Sequence, residues 1–414
     1  MAEDKDLALI LDFGVALFQS GAETHRVEDS LYRLAAAFGF VRCNIWVIPS
    51  NIQATVTAPD GAIMTQIRHI RRGGVDFARL DELNALSRQV CSQAMDSGCF
   101  AVCLAQIMDS PPAPAWLVYL SAALAGAGFG VFFNCGARDA AAAACTSLLV
   151  AFLIRTVGAR QSNPLIVNFI ISCLSEAFIL LSVKAGFGEH AGPIAAGVVM
   201  MLISGLGVTN GVRDLVHQDT LSGLLNIVLS LVGAGGIALG IALPLRLFGA
   251  GASGLMSLNP QPGLQMIAAA VGCLGFALWF HVKLRHLSGC VLGAMVTWSA
   301  YLGASAASGS EFWGALASSA VCAALALLLS RAQKAPVTIF QTVAIFPVIP
   351  GASLYAMMYG FVMGDAELAA QKGSSLALTC LGIVLGFMLV EMLFRTAWPQ
   401  APESKEEKGG PSCR

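Results

Sequence analysis

Between Ala335 and Gly364 the chain runs for 30 residues without a charged side chain, and inside that run stands Phe346-Pro347-Val348-Ile349-Pro350-Gly351-Ala352-Ser353-Leu354-Tyr355. One plain membrane helix needs about 20 apolar residues, and a proline can neither donate to a helical ladder nor fit inside it without clashing. The stretch therefore predicts a broken or re-entrant helix within a bilayer. A fainter copy lies 146 residues earlier, where Met200-Met201-Leu202-Ile203-Ser204-Gly205-Leu206-Gly207 aligns with Phe346 to Ser353. Interrupted helices in matching halves are the pattern of transporters that bind substrate near the membrane midplane.

The whole chain fits that environment. Its 414 residues are 56% hydrophobic and only 12% charged, with mean hydropathy +0.72, too apolar for a soluble globular protein. Charge is concentrated before residue 113, which divides the chain into a soluble unit and a membrane unit. The opening MAEDKDLALI is acidic and amphipathic, unlike a signal peptide, so the N-terminal unit is expected to stay in the cytoplasm. A formal net charge of −1 gives no reason to expect nucleic acid. The 12 cysteines are scattered and form no C-x-x-C pair, so neither a disulfide nor a metal site is expected, and no cofactor.

Residues 1–112 read as a small α+β domain. Leu7, Ile10, Leu11, Val15 and Phe18 recur at helical spacing, as do Val27, Leu31, Leu34 and Phe38, with Ser20-Gly21-Ala22-Glu23 between them in the form of a capping box. Alternation then takes over at Ile52, Ala54 and Val56, with further strands expected at 45–48 and 63–70. A third helix follows from Asp76 to Met95, and Pro111-Pro112-Ala113-Pro114 closes the domain as a stiff hinge.

Beyond the hinge ten apolar spans are expected, at 115–135, 139–157, 164–184, 191–212, 220–245, 263–282, 287–308, 312–330, 336–363 and 373–394. The ninth counts either as one crossing or as two half-crossings. With the N-terminus inside, eight cations (Arg155, Arg160, Arg213, Lys283, Arg285, Arg331, Lys334, Arg395) fall on the cytoplasmic side against four outside (Arg138, Lys184, Arg246, Lys372), as the positive-inside rule requires. The polar tail 397–414 reads as disordered and cytoplasmic. Gly128-Phe129, Phe133 and Arg138 recur as Gly275-Phe276, Phe280 and Arg285 at an offset of 147. Ile203, Gly205, Val216 and Asp219 recur as Ile349, Gly351, Val362 and Asp365 at 146. Two five-span repeats, 113–250 and 251–396, are thus expected, and an odd span count makes the second enter the bilayer from the opposite side.

The candidate site follows from the breaks. A helix starting after Gly205 or Gly351 points free N–H groups and a positive dipole end at the break, a seat for a carboxylate. Ser204, Thr209, Asn210, Ser353 and Tyr355 offer hydrogen bonds there, and Arg213-Asp214 follows in the fourth span, where it either lies at depth or caps a helix at the surface. Glu176, twelve residues into the third span, is an acid in apolar surroundings. An ionised group at such depth costs roughly 3 kcal/mol unless paired or wetted, so Glu176 is a candidate proton relay, as is Asp214. Glu391 reads as a partner of Arg395 one turn on.

Several stretches resemble the threonine/serine exporter family: Ser20-Gly21-Ala22-Glu23-Thr24-His25-Arg26-Val27-Glu28, Val47-Ile48-Pro49-Ser50, Arg68-His69-Ile70-Arg71-Arg72, Leu83-Asn84-Ala85-Leu86-Ser87-Arg88 and Thr209-Asn210-Gly211-Val212-Arg213-Asp214 through Asp219-Thr220-Leu221-Ser222-Gly223. The second membrane unit, with Phe346 to Gly351, is similar to the family's smaller partner module, here fused to the larger one. Where many relatives have Pro-Gly in the fourth span, this chain has Ser204-Gly205. The resemblance implies export of small carboxylate-bearing metabolites, threonine and serine in some members and dicarboxylates such as succinate in the two-protein form. The expected protein is a proton-coupled secondary exporter of the bacterial inner membrane, with lipid, protons and a small substrate as partners and a homo-oligomer left open. The rivals are a dicarboxylate exporter, a passive channel lacking proton dependence, and an intramembrane hydrolase, for which no acid, base or metal constellation is visible.

Overall fold

The structure is a computed structural model that describes residues 2–70, 74–92, 95–161, 163–202, 205–216, 219–248 and 258–397. Its N-terminal unit holds α1 (Ala2–Gln19), α2 (Thr24–Ala37), β1 (Arg42–Ile48), β2 (Asn51–Thr57), β3 (Ile63–His69), α3 (Phe77–Ser92) and α4 (Ser97–Met108). The strands form one antiparallel sheet in the order β1-β2-β3, with Val47 opposite Ile52 and Ile45 opposite Ala54. The alternation of β2 buries Ile52, Ala54 and Val56, and α1 and α2 cover that face with Leu7, Ile10, Leu11, Val27, Leu31 and Leu34. The expected capping box at Ser20 does not form. Gly21, at φ 98°, ends α1, with the Ala22 amide bonding back to the Leu17 carbonyl, and the Ser20 hydroxyl donates to Ala16 within α1. Glu23 is the N-cap residue of α2, its side chain turned to Arg26 at 3.8 Å rather than capping the helix.

Of the expected spans, eight are unbroken helices long and apolar enough to cross a bilayer. They are α5 (Ala115–Phe132), α6 (Ala137–Thr156), α7 (Pro164–Lys184), α10 (Thr220–Leu247), α11 (Pro262–Trp279), α12 (Leu284–Ser308), α13 (Glu311–Gln333) and α16 (Ala366–Ala397). The fourth and ninth are each divided, into α8 (Ala191–Val199) with α9 (Gly205–Val216), and α14 (Val337–Ile345) with α15 (Gly351–Met363). The helices are built for lipid: α10 turns Gly233, Ala234, Gly236 and Gly240 inward while Leu224, Leu239 and Leu243 are exposed. Small residues let backbones approach where lipid supplies no hydrophobic drive for helix association.

The closest approach joins α5 to α11. A Cβ at Gly128 would lie 2.4 Å from the Gly272 nitrogen, and one at Gly275 would lie 2.3 Å from that of Ala125, so the helices run antiparallel in near backbone contact. The same economy recurs elsewhere. Gly240 of α10 sits on Phe169, Ser172 and Cys173 of α7, and Gly386 of α16 sits on Leu316, Ser319 and Ala320 of α13. The members of these two packings are 146 or 147 residues apart. In the turn after α5, Asn134 takes φ 72°, and 147 residues on, in the turn after α11, His281 takes φ 55°.

The N-terminal unit rests on three places in the membrane unit. Thr24 Oγ1 lies 3.4 Å from Ser222 Oγ at the start of α10. At the turn after α11, the Phe77 amide donates to the Phe280 carbonyl at 2.8 Å, Asp76 pairs with His281 at 3.2 Å, and Asp81 accepts from Arg285 at 2.6 Å and from Lys283 at 3.1 Å. Arg88 reaches the Lys334 carbonyl just past α13. Burial raises the Asp76 carboxyl, but hydrogen bonds from the His281 ring and the Arg79 amide outweigh it and hold the group below its ordinary value. Its contribution to docking is therefore present above that ordinary value, near pH 4, and is lost as pH falls through the lower folded value.

Two outcomes follow. Gly128→Ala should lower stability by about 1–3 kcal/mol through overpacking against backbone, while Gly263→Ala, where a Cβ meets open space, should not; equal unfolding midpoints in detergent would contradict the close crossing. Asp81→Ala removes a 3% exposed acceptor from two cations, one of them largely solvent-exposed, and should weaken docking by about 1–3 kcal/mol. The readout is faster protease cleavage near 109–114, and an unchanged cleavage rate would contradict the assignment.

Candidate functional site

The α14–α15 break is a packed object. Phe346 to Pro350 are all buried, the Val348 and Ile349 amides bond back to Ile345, and the Gly351 amide turns onto the Ile349 carbonyl at 2.8 Å. Helix α15 thus starts afresh at Gly351, and the Ala352 and Ser353 amides, in its first turn, have no carbonyl four residues back within that helix. Phe346 anchors the break by stacking on Phe276 of α11 at 4.0 Å between ring centroids, beside Phe129 of α5 and Phe280.

One turn beyond the break, Tyr355 and Tyr359 lie on one stripe of α15, with ring centroids 5.8 Å apart. Both feel the charge of Glu176 on α7. Helix α7 begins at Pro164, with Asn163 capping the Leu165 amide at 3.0 Å, which fixes the start of the ladder that carries Glu176 to depth. Glu176 is 3% exposed and faces a small cavity of about 10 Å³, room for roughly one water. The cavity is lined by Ser172, Ser175 and Ile179 of α7, Ala195, Val198 and Val199 of α8, Leu202, and Ile241 of α10. Ser172 is satisfied by the Asn168 carbonyl at 2.6 Å. Among the described residues, Glu176 Oε2, Ser175 Oγ and Tyr359 Oη are buried without a hydrogen-bond partner. Buried polar atoms are ordinarily paired, and such orphans are uncommon enough to mark a place where something else binds. Arg246, in the last turn of α10, is within electrostatic reach of Tyr359.

The other sequence candidates lie apart from this cluster. Asp214 sits near the end of α9 and accepts from Ser222 at 2.8 Å and Asn226 at 3.0 Å on α10; Ser222 in turn meets Thr24 of the N-terminal unit. It belongs to the α9–α10 elbow, nine residues from Gly205, or about 13 Å along a helix. Thr209 is buried and meets Cys380 of α16, and Asn210 beside it is half-buried. Gly205 opens α9; Ser204 lies outside the described residues, as does the side chain of Arg213. Gly351 and half-buried Ser353 open α15. The structure thus brings Glu176 to Tyr355 and leaves Asp214 elsewhere. It adds Tyr359, Ser175 and Arg246, which sequence reasoning did not place at the site. Of these only Tyr359 carried a signal, as the next residue on the stripe of Tyr355.

A family model described as a threonine/serine exporter matches residues 8–248, well over half of the chain. The chain belongs to that family. A second model, described as Threonine/Serine exporter, ThrE, matches residues 265–393, so the first match ends just past α10 and the second begins within the first turn of α11. Over 415 aligned residues the chain is 23% identical to a Mycobacterium tuberculosis protein named a probable threonine/serine exporter, covering 94% of this chain and 77% of that one. No solved structure matches this threonine/serine exporter family member.

Asp214→Ala should leave the Ser222 hydroxyl and Asn226 amide short of an acceptor and cost about 1–3 kcal/mol of stability. The unfolding temperature should fall while the proton dependence of transport stays. Intact stability with lost proton dependence would instead give Asp214 the proton.

Proposed function

We propose that this exporter moves threonine or serine outward across the bacterial cytoplasmic membrane in exchange for protons, by alternating access of two inverted five-helix units. Family membership along most of the chain supports the substrate class. The arrangement carrying the mechanism is the α5–α11 crossing: Gly128 on Gly272 and Gly275 on Ala125 are the same contact read from either unit, since Gly128 corresponds to Gly275 and Ala125 to Gly272 at the offset of 147. That reciprocity is what a two-fold axis in the membrane plane produces. It is supported by the matching α7–α10 and α13–α16 packings, and by α15 packing on α10 while α9 packs on α16. Each divided pair then counts as one crossing, giving ten.

The N-terminal unit bonds to the α9–α10 elbow, the turn after α11 and the end of α13. In a ten-crossing path these share one face with the start of α5, which supports a cytoplasmic N-terminus. The substrate carboxylate would rest on the half-helix starts at Gly205 and Gly351, where Ser204, Thr209, Asn210, Arg213, Ser353 and Tyr355 orient it. Glu176 would carry the proton. The cavity at Glu176 is far smaller than an amino acid, so this conformation is closed and the units must part to load it.

The test is uptake of labelled threonine, serine and succinate into inverted vesicles, with and without a proton gradient. Gradient-dependent uptake of the first two is expected. Succinate uptake alone would make the chain a dicarboxylate exporter, and fluxes indifferent to the gradient would end the antiport reading.

A further inference from the structure

Glu176, Ser175 and Tyr359 pose a question that proton carriage alone leaves open. Three polar atoms from two helices are buried without partners, one of them an acid: Glu176 and Ser175 line the cavity, and Tyr359 belongs to the apolar cluster that holds two of its wall residues, Val199 and Ile241. The walls give that acid no cation: the lining residues of α8 (Ala195, Val198, Val199) and α10 (Ile241) are apolar. On α15, Tyr355 and Tyr359 stand within electrostatic reach of it, and Arg246 of α10 within reach of Tyr359. The charges of α6 are Arg138 and Asp139 in its first turn, paired with Glu189 and His190, and Arg155 in its last. The acid therefore needs a positive charge from outside the protein, and a proton is only one source.

We propose, building on the exporter reading above, that the Glu176 carboxylate is a single seat for which the proton and the ammonium group of the amino acid compete. An ammonium has one positive charge and three donors, and Glu176 Oε2, Ser175 Oγ and Tyr359 Oη are three acceptors without donors. Loading from the cytoplasm is an exchange: the substrate arrives as the ammonium, the Glu176 O–H bond breaks, and its proton leaves to water on that side. Outside, the ammonium departs and a proton from water re-forms the O–H bond. Both wrong states are costly. An empty ionised carboxylate stands unpaired at depth, and a protonated acid beside a bound ammonium leaves that cation unpaired. Exchange becomes obligatory because each ligand excludes the other. A dicarboxylate has no group for this seat and brings a second negative charge towards it. The residue 147 positions on is Ala323, buried in α13, so each chain has one such seat and the exchange is one for one.

The test uses the purified full chain in weakly buffered detergent with a pH indicator. Adding threonine should release about one proton per molecule bound, and its apparent affinity should fall by about tenfold per pH unit on the acid side. The analogue with hydroxyl in place of the ammonium should release none. Glu176→Gln should abolish both proton release and pH dependence, and Glu176→Asp, which keeps a carboxylate, should retain them. Threonine binding without proton release in the wild-type chain overturns the proposal, as does wild-type pH dependence in Glu176→Gln. Wild-type vesicles that carry threonine down the gradient while the purified chain releases no proton would sink the shared seat and leave the exporter standing. Absence of any threonine flux would sink both.

Discussion

The architecture depends on two helix backbones touching. Where Gly128 meets Gly272 and Gly275 meets Ala125 there is no room for a side chain at Gly128 or Gly275, so α5 and α11 lock at one height and one angle. In lipid this is worth more than burying leucines, because hydrocarbon tails solvate leucine as well as another helix does. Around that contact the phenylalanines Phe129, Phe276 and Phe346 fill the space the glycines leave, and they fix where the ninth span breaks. The break is thus specified twice: locally by Pro347 and Pro350, which cannot extend a helix, and at a distance by the ring that Phe346 stacks upon.

In the proposed pair of inverted units, the frame is shared but the chemistry is not. Glu176 on α7 corresponds to Ala323 on α13, and Tyr359 on α15 to Arg213 on α9. In that proposal one unit contributes the acid, and the other the tyrosines within its electrostatic reach. A fold with near two-fold packing but asymmetric side chains can hold one substrate in one orientation, which a symmetric pair of sites could not do.

Much of this was readable in the sequence because it rests on local rules. The period of Leu7 to Phe18, the alternation at Ile52 to Val56 and the length of the uncharged spans each obey a geometry that neighbours in the chain dictate. The capping-box expectation at Ser20 failed for an equally local reason, since Gly21 offers the left-handed turn that ends α1 first. The site was legible only in part. Glu176 stood out by its cost in an apolar span, and Tyr355 by its place after the break, but their meeting depends on how α7 and α15 are set across α8 and α10. Asp214 shows the converse: its partners Ser222 and Asn226 are close in sequence, yet its place at an elbow touched by Thr24 follows from docking of the soluble unit.

That docking has a consequence for the field at one mouth of the membrane unit. Asp81 and Glu82 hold Lys283 and Arg285 in salt bridges, beside the Asp76–His281 contact, so with the N-terminal unit seated these two cations are neutralised by carboxylates of the same chain. Lifted away, the unit would uncover a compact positive rim, able to concentrate small anions over about a Debye length. Under the proposed function, the same acids would act as a tethered mimic of the substrate carboxylate. The ring contact of Phe77 with Phe280, and of Phe280 with Phe346, ties that mimicry to the break in the ninth span, so rim and break can change together.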